Sequence, residues 1–427
     1  MTRPNGVNTN YSYDSLSHLL SVLHQAGVNT LDGASYTYDP AGNRTSKGNY
    51  LNGITSNYTY DALYELTQVT QGASTTESYS YDPVGNRLSS SGVPTYSYNA
   101  SNELTSNSSG SYSYDANGNT LSDASGKSYT WDFENRLVQA VVPGTGTTTF
   151  RYDPFGRRIQ KSGPLGTTNY LYDGFNDMEE VDNSGNVLAR YTQDQAVDQP
   201  MSELRSGTAS NYESDGIVSV TSLSNSTGAL ANSYTYDSFG KLTASTGTLT
   251  NPFQYTGRDF DAETGLFYFR ARYYDSGTGR FISEDPNGMS AGINYYAYVK
   301  NDPTTLVDPF GLDSGPWHPP AGVHTKCLPT DTCDVIKGKI YILERMINSH
   351  VGWDLNMRFP RGGNRHSTEI DQLFTQWIDC QELYQQKCQN GNKPCDKIPQ
   401  VAPKPLPLLP ILPLLEEILE GLGLAAL

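Results

Sequence analysis

The chain has 427 residues, enough for roughly two or three ordinary domains, and a formal net charge of −16 at pH 7. Only 17% of the residues are charged and 36% are hydrophobic, while 31 are tyrosine and 40 are glycine. Because Tyr and Thr favour strands and Gly favours turns, this composition predicts many short strands and few helices. Residues 1–312 carry 18 basic and 32 acidic side chains, so this part of the chain is a poor nucleic-acid surface because it would repel phosphates.

The first residues, MTRPNGVNTNYSYD, are polar and lack the apolar core of a signal peptide. They run almost directly into a repeat, so we expect either a truncated gene product or a segment of a longer protein. No apolar run reaches the roughly 18 residues that a membrane-spanning helix needs. The sequence therefore predicts no membrane span and leaves the export route open.

An aromatic-x-aromatic-Asp unit then recurs about every 20 residues. The alternation places both rings on one face of a strand, and the Asp ends the strand by bonding nearby backbone amides. Copies begin at Tyr11, Tyr36, Tyr58, Tyr79, Tyr112, Tyr129, Phe150, Tyr170 and Tyr234, with a degenerate copy at Tyr96.

Turns such as DPAGNR at residues 39–44 follow many copies, and their Gly and Asn tolerate a positive φ. Each unit therefore predicts one β-hairpin, and successive hairpins stack through their rings. The register is too regular for tyrosines scattered over a surface. The unit is also shorter than the roughly 40 residues of a β-propeller blade.

The most specific stretch is residues 253–312, with the runs FQYTGRDFDAETGLFYFRARYYDSGTGRFISEDPNG and NYYAYVKNDPTTLVDPFGL. Together with the repeats, it resembles the RHS/YD-repeat family, which includes the shells of insecticidal toxin complexes and the teneurin ectodomains. The resemblance implies a mainly β fold: stacked YD-repeat hairpins form part of an RHS-type shell, and the RHS-associated core forms an inward-turned plug. The implied domains are a repeat shell segment (1–250), the core (251–312), a variable tip (313–400) and a Pro/Leu-rich tail (401–427).

The resemblance also implies self-cleavage. In many members the plug cuts itself from the tip at a Pro-x4-Asp-Pro-x-Gly-Leu motif. Residues 303–312 match every fixed position of this motif, so cleavage would fall between Leu312 and Asp313.

Two carboxylates that share a proton can hydrolyse a peptide bond, one by activating water and the other by acting as an acid. Asp308 and Asp285 are the candidates, and Arg280 could hold one of them bidentately. The structural alternative is that Asp-Pro-x-Gly is an ordinary turn, which Asp308 simply caps. The sequence leaves both interpretations open.

After Leu312 the repeats stop and all the cysteines appear. An odd number of cysteines forbids complete internal pairing, and one or two disulfides in an exported protein is the favoured interpretation. No CxxC pair is present, so a zinc site is less favoured, and we expect no metal and no cofactor. The cysteines are Cys327, Cys333, Cys380, Cys388 and Cys395.

The tip is expected to be a small α-helical, cysteine-containing domain. Apolar residues at helical spacing predict amphipathic helices over residues 334–349 and from Ile370 towards Cys388. The tail from residue 401 predicts a polyproline-like segment and a short amphipathic helix, either docked on a partner or disordered.

The loop between the two predicted helices is rich in Gly and Arg and leads into a helix N-terminus, a natural anion site. His350 and His366 could act as acid and base in RNA or DNA cleavage, with Arg365 binding phosphate and Glu369 orienting a histidine. The structural alternative is that the arginines pair with surface acids and His350 is a structural histidine.

Three functions remain open from the sequence. The first is a secreted or cell-surface bacterial polymorphic toxin whose self-cleaving core releases an effector tip. Its partners would be an immunity protein for the tip, the rest of a longer RHS shell, and nucleic acid as the tip's substrate. The others are a non-enzymatic adhesion or scaffold protein and an inert, displaced RHS fragment.

Overall fold

The computed structural model describes residues 1–16, 18–194, 198–288 and 292–312. Beyond Leu312 it describes only Cys327, Thr375, Gln376, Ile378, Asp379, Cys380 and Leu383.

The repeat region forms three antiparallel sheets whose strands follow one another in chain order, and together these make up the wall. The first sheet runs from β1 to β8: Val7–Tyr13, Leu19–Ala26, Asn29–Tyr38, Arg44–Asn49, Thr55–Tyr60, Leu66–Gln71, Ser74–Tyr81 and Arg87–Ser90. The second holds β9 to β11: Tyr96–Tyr98, Leu104–Asn107 and Gly110–Ser111. The third runs from β12 to β25: Ser113–Tyr114, Thr120–Ser122, Ser128–Trp131, Leu137–Val142, Gly146–Tyr152, Arg158–Gly163, Gly166–Asp173, Asn176–Val181, Val187–Gln193, Pro200–Arg205, Thr208–Ser214, Val220–Asn225, Leu230–Tyr236 and Leu242–Thr246.

The core segment forms a separate plug against the inner face of the wall. Its four-stranded antiparallel sheet holds β26 to β29: Asp259–Asp261, Leu266–Phe269, Arg272–Asp275 and Arg280–Phe281. Short 3₁₀ turns occupy Tyr255–Gly257 and Val299–Asn301. Aromatic side chains join wall and plug: Tyr79 of the wall belongs to the same buried cluster as Phe267 and Tyr298 of the plug, and Phe150 packs with Tyr273.

The two rings of each repeat unit make different contacts. In most copies the first ring is buried, as Tyr36, Tyr79 and Phe150 show with exposures of 3%, 8% and 3%, whereas Tyr11 is 37% exposed. The second donates its hydroxyl proton to a backbone carbonyl of the preceding unit. Such bonds join Tyr38 to Leu19, Tyr60 to Arg44, Tyr81 to Leu66, Tyr98 to Arg87, Tyr152 to Leu137, Tyr172 to Arg158 and Tyr236 to Val220.

The Asp that ends most units builds the turn that follows. In the copy at Asp39, Oδ1 accepts the backbone N–H groups of Ala41 and Asn43, both at 2.9 Å. Its second oxygen, Oδ2, accepts the side-chain amide of Asn43 at 2.8 Å. Gly42 completes the turn with a φ of +92°, where a glycine avoids the strain of a Cβ. The predicted stacked hairpins with Asp-capped turns are confirmed.

The wall curves until its first strands meet β22 and β23. We call this contact the seam. Asp32 Oδ2 accepts the hydroxyl protons of Thr221 at 2.5 Å and Ser222 at 2.7 Å. Lys47 Nζ lies 2.6 Å from Asp215 Oδ2, and the hydroxyl of Tyr36 accepts the N–H of Gly216 at 2.7 Å. The seam closes the wall around the plug.

The mainly β architecture predicted from the repeats is confirmed. The predicted helix over 334–349 and the tail lie outside the described residues. Within the second predicted helix, the described residues Thr375, Gln376, Ile378–Cys380 and Leu383 are helical. Cys327 and Cys380 form a disulfide, one of the pairings left open by the sequence. Within the described residues, no helix is long and apolar enough to cross a membrane.

Candidate functional site

Asp285 and Asp308 each begin a turn that resembles the turns of the repeats. Asp285 Oδ1 accepts the backbone N–H of Asn287 at 2.8 Å, and its carbonyl accepts the N–H of Gly288 at 2.9 Å. Asp308 Oδ1 accepts the backbone N–H of Leu312 at 3.0 Å, so Asp308 does cap a turn. In both residues the second oxygen, Oδ2, points to a shared arginine.

That arginine is Arg272, at the start of β28. Its Nη2 lies 2.7 Å from Asp285 Oδ2 and 3.3 Å from Asp308 Oδ2. The three side chains are only about 2% exposed, and the guanidinium stacks over the ring of Phe281, 3.6 Å from its centroid. Arg272 also donates from Nη1 to the carbonyl of Tyr295 at 2.9 Å, so its orientation is fixed from several sides.

The end of the motif lies directly against this cluster. Arg272 Nε donates to the carbonyl of Gly311 at 2.6 Å. The next carbonyl, that of Leu312, accepts the side-chain amide of Asn287 at 2.8 Å. The carbonyl of the predicted cleavage site is thus held beside two buried carboxylates. Asp313 lies outside the described residues.

A cleft of about 270 Å³ reaches the cluster between wall and plug. Arg272, Asp285 and Asp308 line its plug side, and Glu65 and Gly85 line its wall side. The cleft is large enough to hold several water molecules. Burial and then the charge of Asp308 raise the pKa of the neighbouring Tyr298, which keeps that hydroxyl neutral.

Arg280, the residue expected from the sequence to hold a carboxylate, lies elsewhere on the plug. Its Nη1 donates to Asn86 Oδ1 at 3.0 Å and its Nη2 donates to the carbonyl of Asn102 at 2.5 Å. Within the described residues, no ion pair joins it to Asp285 or Asp308. Arg280 therefore ties the plug to the wall, and Arg272 takes the position between the carboxylates.

The comparisons with known proteins agree with the fold. A family model described as Teneurin YD-shell matches residues 49–304, more than half of the chain. The chain belongs to this family. A crystal structure of TcdB2-TccC3-Cdc42 superposes on this YD-shell chain with a TM-score of 0.63 and 22% identity, over 73% of this chain and 19% of that one. This likeness shows a shared fold.

Bacterial relatives share part of the YD-shell sequence. The tRNA nuclease WapA of Bacillus subtilis strain 168 is 38% identical over 195 residues, 43% of this chain and 8% of that protein. The probable deoxyribonuclease RhsB of Dickeya dadantii strain 3937 is 32% identical over 200 residues, 43% of this chain and 13% of that protein. The chain thus spans a small fraction of either relative's length.

Of the residues singled out from the sequence of this YD-shell chain, the structure brings together Asp285, Asp308 and Leu312. His350, Arg365, His366 and Glu369 of the tip lie outside the described residues. Sequence reasoning missed Arg272 and Asn287. The signal for Arg272 was an arginine next to two tyrosines in the strand RYYD, because a charge in a buried strand needs a buried partner.

Proposed function

We propose that this YD-shell chain cleaves itself between Leu312 and Asp313. One observation carries the proposal: Arg272 holds two buried carboxylates beside the carbonyl that ends the cleavage motif. In the repeat turns the second oxygen of the aspartate bonds a side chain of the same turn, as Asp39 does with Asn43. Asp308 instead directs its second oxygen to Arg272, outside its own turn, and the same guanidinium holds Asp285.

The charges favour acid–base chemistry. Both carboxylates lie within 3.3 Å of the same nitrogen of Arg272. Two carboxyl groups held this close to each other titrate as a pair, in which one keeps its proton while the other is ionised. The pair then holds one acid and one base. The ionised carboxylate takes a proton from water as the new C–O bond forms at the Leu312 carbonyl carbon. The protonated carboxyl gives its proton to the Asp313 nitrogen as the C–N bond breaks, which leaves a carboxyl terminus and a free amine.

Cell-free translation of the full chain tests this proposal. The wild type should yield two fragments whose masses correspond to hydrolysis after Leu312, while Asp308→Asn and Asp285→Asn should remain full length. Asp261→Asn is the matched control, because Asp261 is a plug carboxylate that is 1% exposed and paired with Arg158 at 2.5 Å. This variant should lose stability and still cut. A wild-type chain that stays intact under native conditions would refute self-cleavage.

We infer further that the chain is the C-terminal part of a secreted or cell-surface bacterial toxin, with the tip as its effector. The names of the relatives support this proposal, since WapA and RhsB are described as nucleases. Their length also supports a larger shell around this segment, and an immunity protein for the tip is part of the same proposal.

Nuclease activity of the tip can be tested with the full chain as it cleaves itself. Wild-type protein incubated with RNA or DNA should degrade one of them, and His366→Ala should remove the activity while leaving self-cleavage intact. The uncleaved Asp308→Asn protein shows whether nuclease activity needs release of the tip. Intact RNA and DNA at high concentrations of cleaved protein would reject the nuclease and favour a scaffold or an inert fragment.

A further inference from the structure

We propose that the side-chain amide of Asn287 stabilises the negative charge that develops on the Leu312 carbonyl oxygen during self-cleavage. The proposal rests on the proposed function and adds a third catalytic group to the two carboxylates. Asn287 follows Asp285 by two positions and was not singled out by the sequence.

The geometry is that of a fixed donor. Asn287 is 7% exposed, and its Nδ2 lies 2.8 Å from the Leu312 oxygen. Its own backbone N–H donates to Asp285 Oδ1, also at 2.8 Å. The same residue is therefore bonded to a candidate catalytic carboxylate and to the carbonyl that the reaction attacks.

The chemistry gives such a donor a role. When water adds to the Leu312 carbonyl carbon, the carbonyl oxygen becomes an oxyanion, and a bond to an oxyanion is stronger than one to a neutral carbonyl. The Arg272 guanidinium contacts the two carboxylates and donates to the carbonyls of Gly311 and Tyr295. Asn287 is the described side chain whose donor reaches the reacting oxygen. Burial removes competing water, which increases the effect of a single donor.

The alternative is that Asn287 only anchors the end of the plug. A near-isosteric apolar variant, Asn287→Leu, separates the two roles, because loss of an oxyanion donor lowers the rate constant of cleavage by about 10²–10³-fold. The matched control is Asn294→Leu. Asn294 also lies on the plug, but its Nδ2 donates to wall atoms, Asn86 Oδ1 at 2.9 Å and the carbonyl of Val84 at 3.3 Å.

The experiment follows the first-order cleavage of the full chain after a pulse of cell-free synthesis. Asn287→Leu should slow cleavage by about 10²-fold or more, and Asn294→Leu should change the rate by less than about 3-fold. Thermal melting of both variants in the Asp308→Asn background reports whether each one folds. Should Asn287→Leu fail to fold, Asn287→Asp replaces it, since it keeps the shape and loses the N–H donor.

The outcomes are distinct. A wild type that never cleaves overturns the proposed function itself. A wild type that cleaves, together with a folded Asn287 variant that cleaves within about 3-fold of its rate, overturns the role of Asn287 alone. Equal slowing by the Asn287 and Asn294 variants also overturns it, because a general loosening of the plug would then explain both.

Discussion

At the scale of single residues, the repeat turns impose a left-handed backbone at their fourth position. Glycine occupies it at Gly42, Gly85 and Gly156, with φ between +79° and +92°. Other copies place larger residues there, and Tyr64 and Val218 both have a φ of +65°. A side chain in this region costs about 1–2 kcal/mol, and only a few residue types tolerate it. The turn at Asp61 is therefore strained at a position where glycine is not present.

Tyr64→Gly should raise the free energy of unfolding by about 1 kcal/mol, because the ring is 52% exposed and little packing is lost. Urea unfolding of the Asp308→Asn background measures the change without interference from cleavage. The converse control is Gly156→Ala, at a φ of +79° with no neighbour within 4 Å of an added Cβ, which should destabilise by a similar amount. A Tyr64→Gly variant less stable than its parent would contradict the explanation by strain.

The candidate site was partly predictable from single residues. The motif resemblance identifies Asp308 and Leu312, because a linear pattern carries them, and Asp285 was chosen as a second carboxylate in the same core segment. It does not distinguish Arg272 from Arg280, since both are arginines in short aromatic strands close in sequence. The two arginines differ through the pairing of β28 with β29, in which Tyr274 lies opposite Phe281 and Asp275 lies opposite Arg280. This register directs the two guanidinium groups to different surroundings.

At the scale of elements, the sequence predicted that rings stack between hairpins. The structure adds a hydrogen bond from the second ring of a unit to the carbonyl at the start of a strand in the unit before it. Trp131 makes the same bond through Nε1 to Thr120 at 2.7 Å, which explains why Trp can replace Tyr in that copy. The pattern alone could not show this, because the hydroxyl's partner lies about one whole repeat earlier in the chain.

Tyr152→Phe tests this bond, which spans 2.7 Å to the carbonyl of Leu137. Loss of the hydroxyl leaves a part-buried carbonyl without that donor, so the variant should be destabilised by about 1–2 kcal/mol. Tyr13→Phe is the matched control, because the Tyr13 side chain is 42% exposed. It should change the free energy of unfolding by less than about 0.5 kcal/mol. Equal stabilities of the two variants in urea unfolding would mean that ring packing alone joins the repeats.

At the scale of the whole molecule, the seam is the contact that allows a short array of repeats to enclose the plug. The repeat pattern is local, whereas the contacts of Asp32 with Thr221 and Ser222 join residues about 190 positions apart. Such closure depends on twist accumulated over many strands, which no local pattern encodes. The sequence therefore predicted a wall but not its closure. The closed wall buries the plug and leaves Arg272 and its two carboxylates only about 2% exposed, at the edge of the cleft between wall and plug.

The seam also predicts how stability depends on pH. Burial raises the pKa of Glu213 to about 7, opposed by nearby Arg3 and by a hydrogen bond from Ser224, and reinforced by Asp32. Burial acts in the opposite sense on His24 and lowers its pKa. Between about pH 4.5 and pH 7, the folded chain thus keeps a proton on Glu213 that the unfolded chain releases. The stability that Glu213 contributes is present below this range and is lost as the pH rises through it.

Glu213→Gln should remove this dependence while retaining the shape and neutrality of the protonated side chain. In the Asp308→Asn background, the variant's free energy of unfolding relative to its parent should increase by about 2–3 kcal/mol from pH 5 to pH 8. Comparison with the parent at each pH cancels the opposite contribution of His24. Glu134→Gln, at a side chain that is 52% exposed, serves as the control and should show a difference below about 0.5 kcal/mol. A Glu213→Gln difference that stays constant with pH would mean that the seam holds this carboxylate ionised, with Arg3 as its counter-charge.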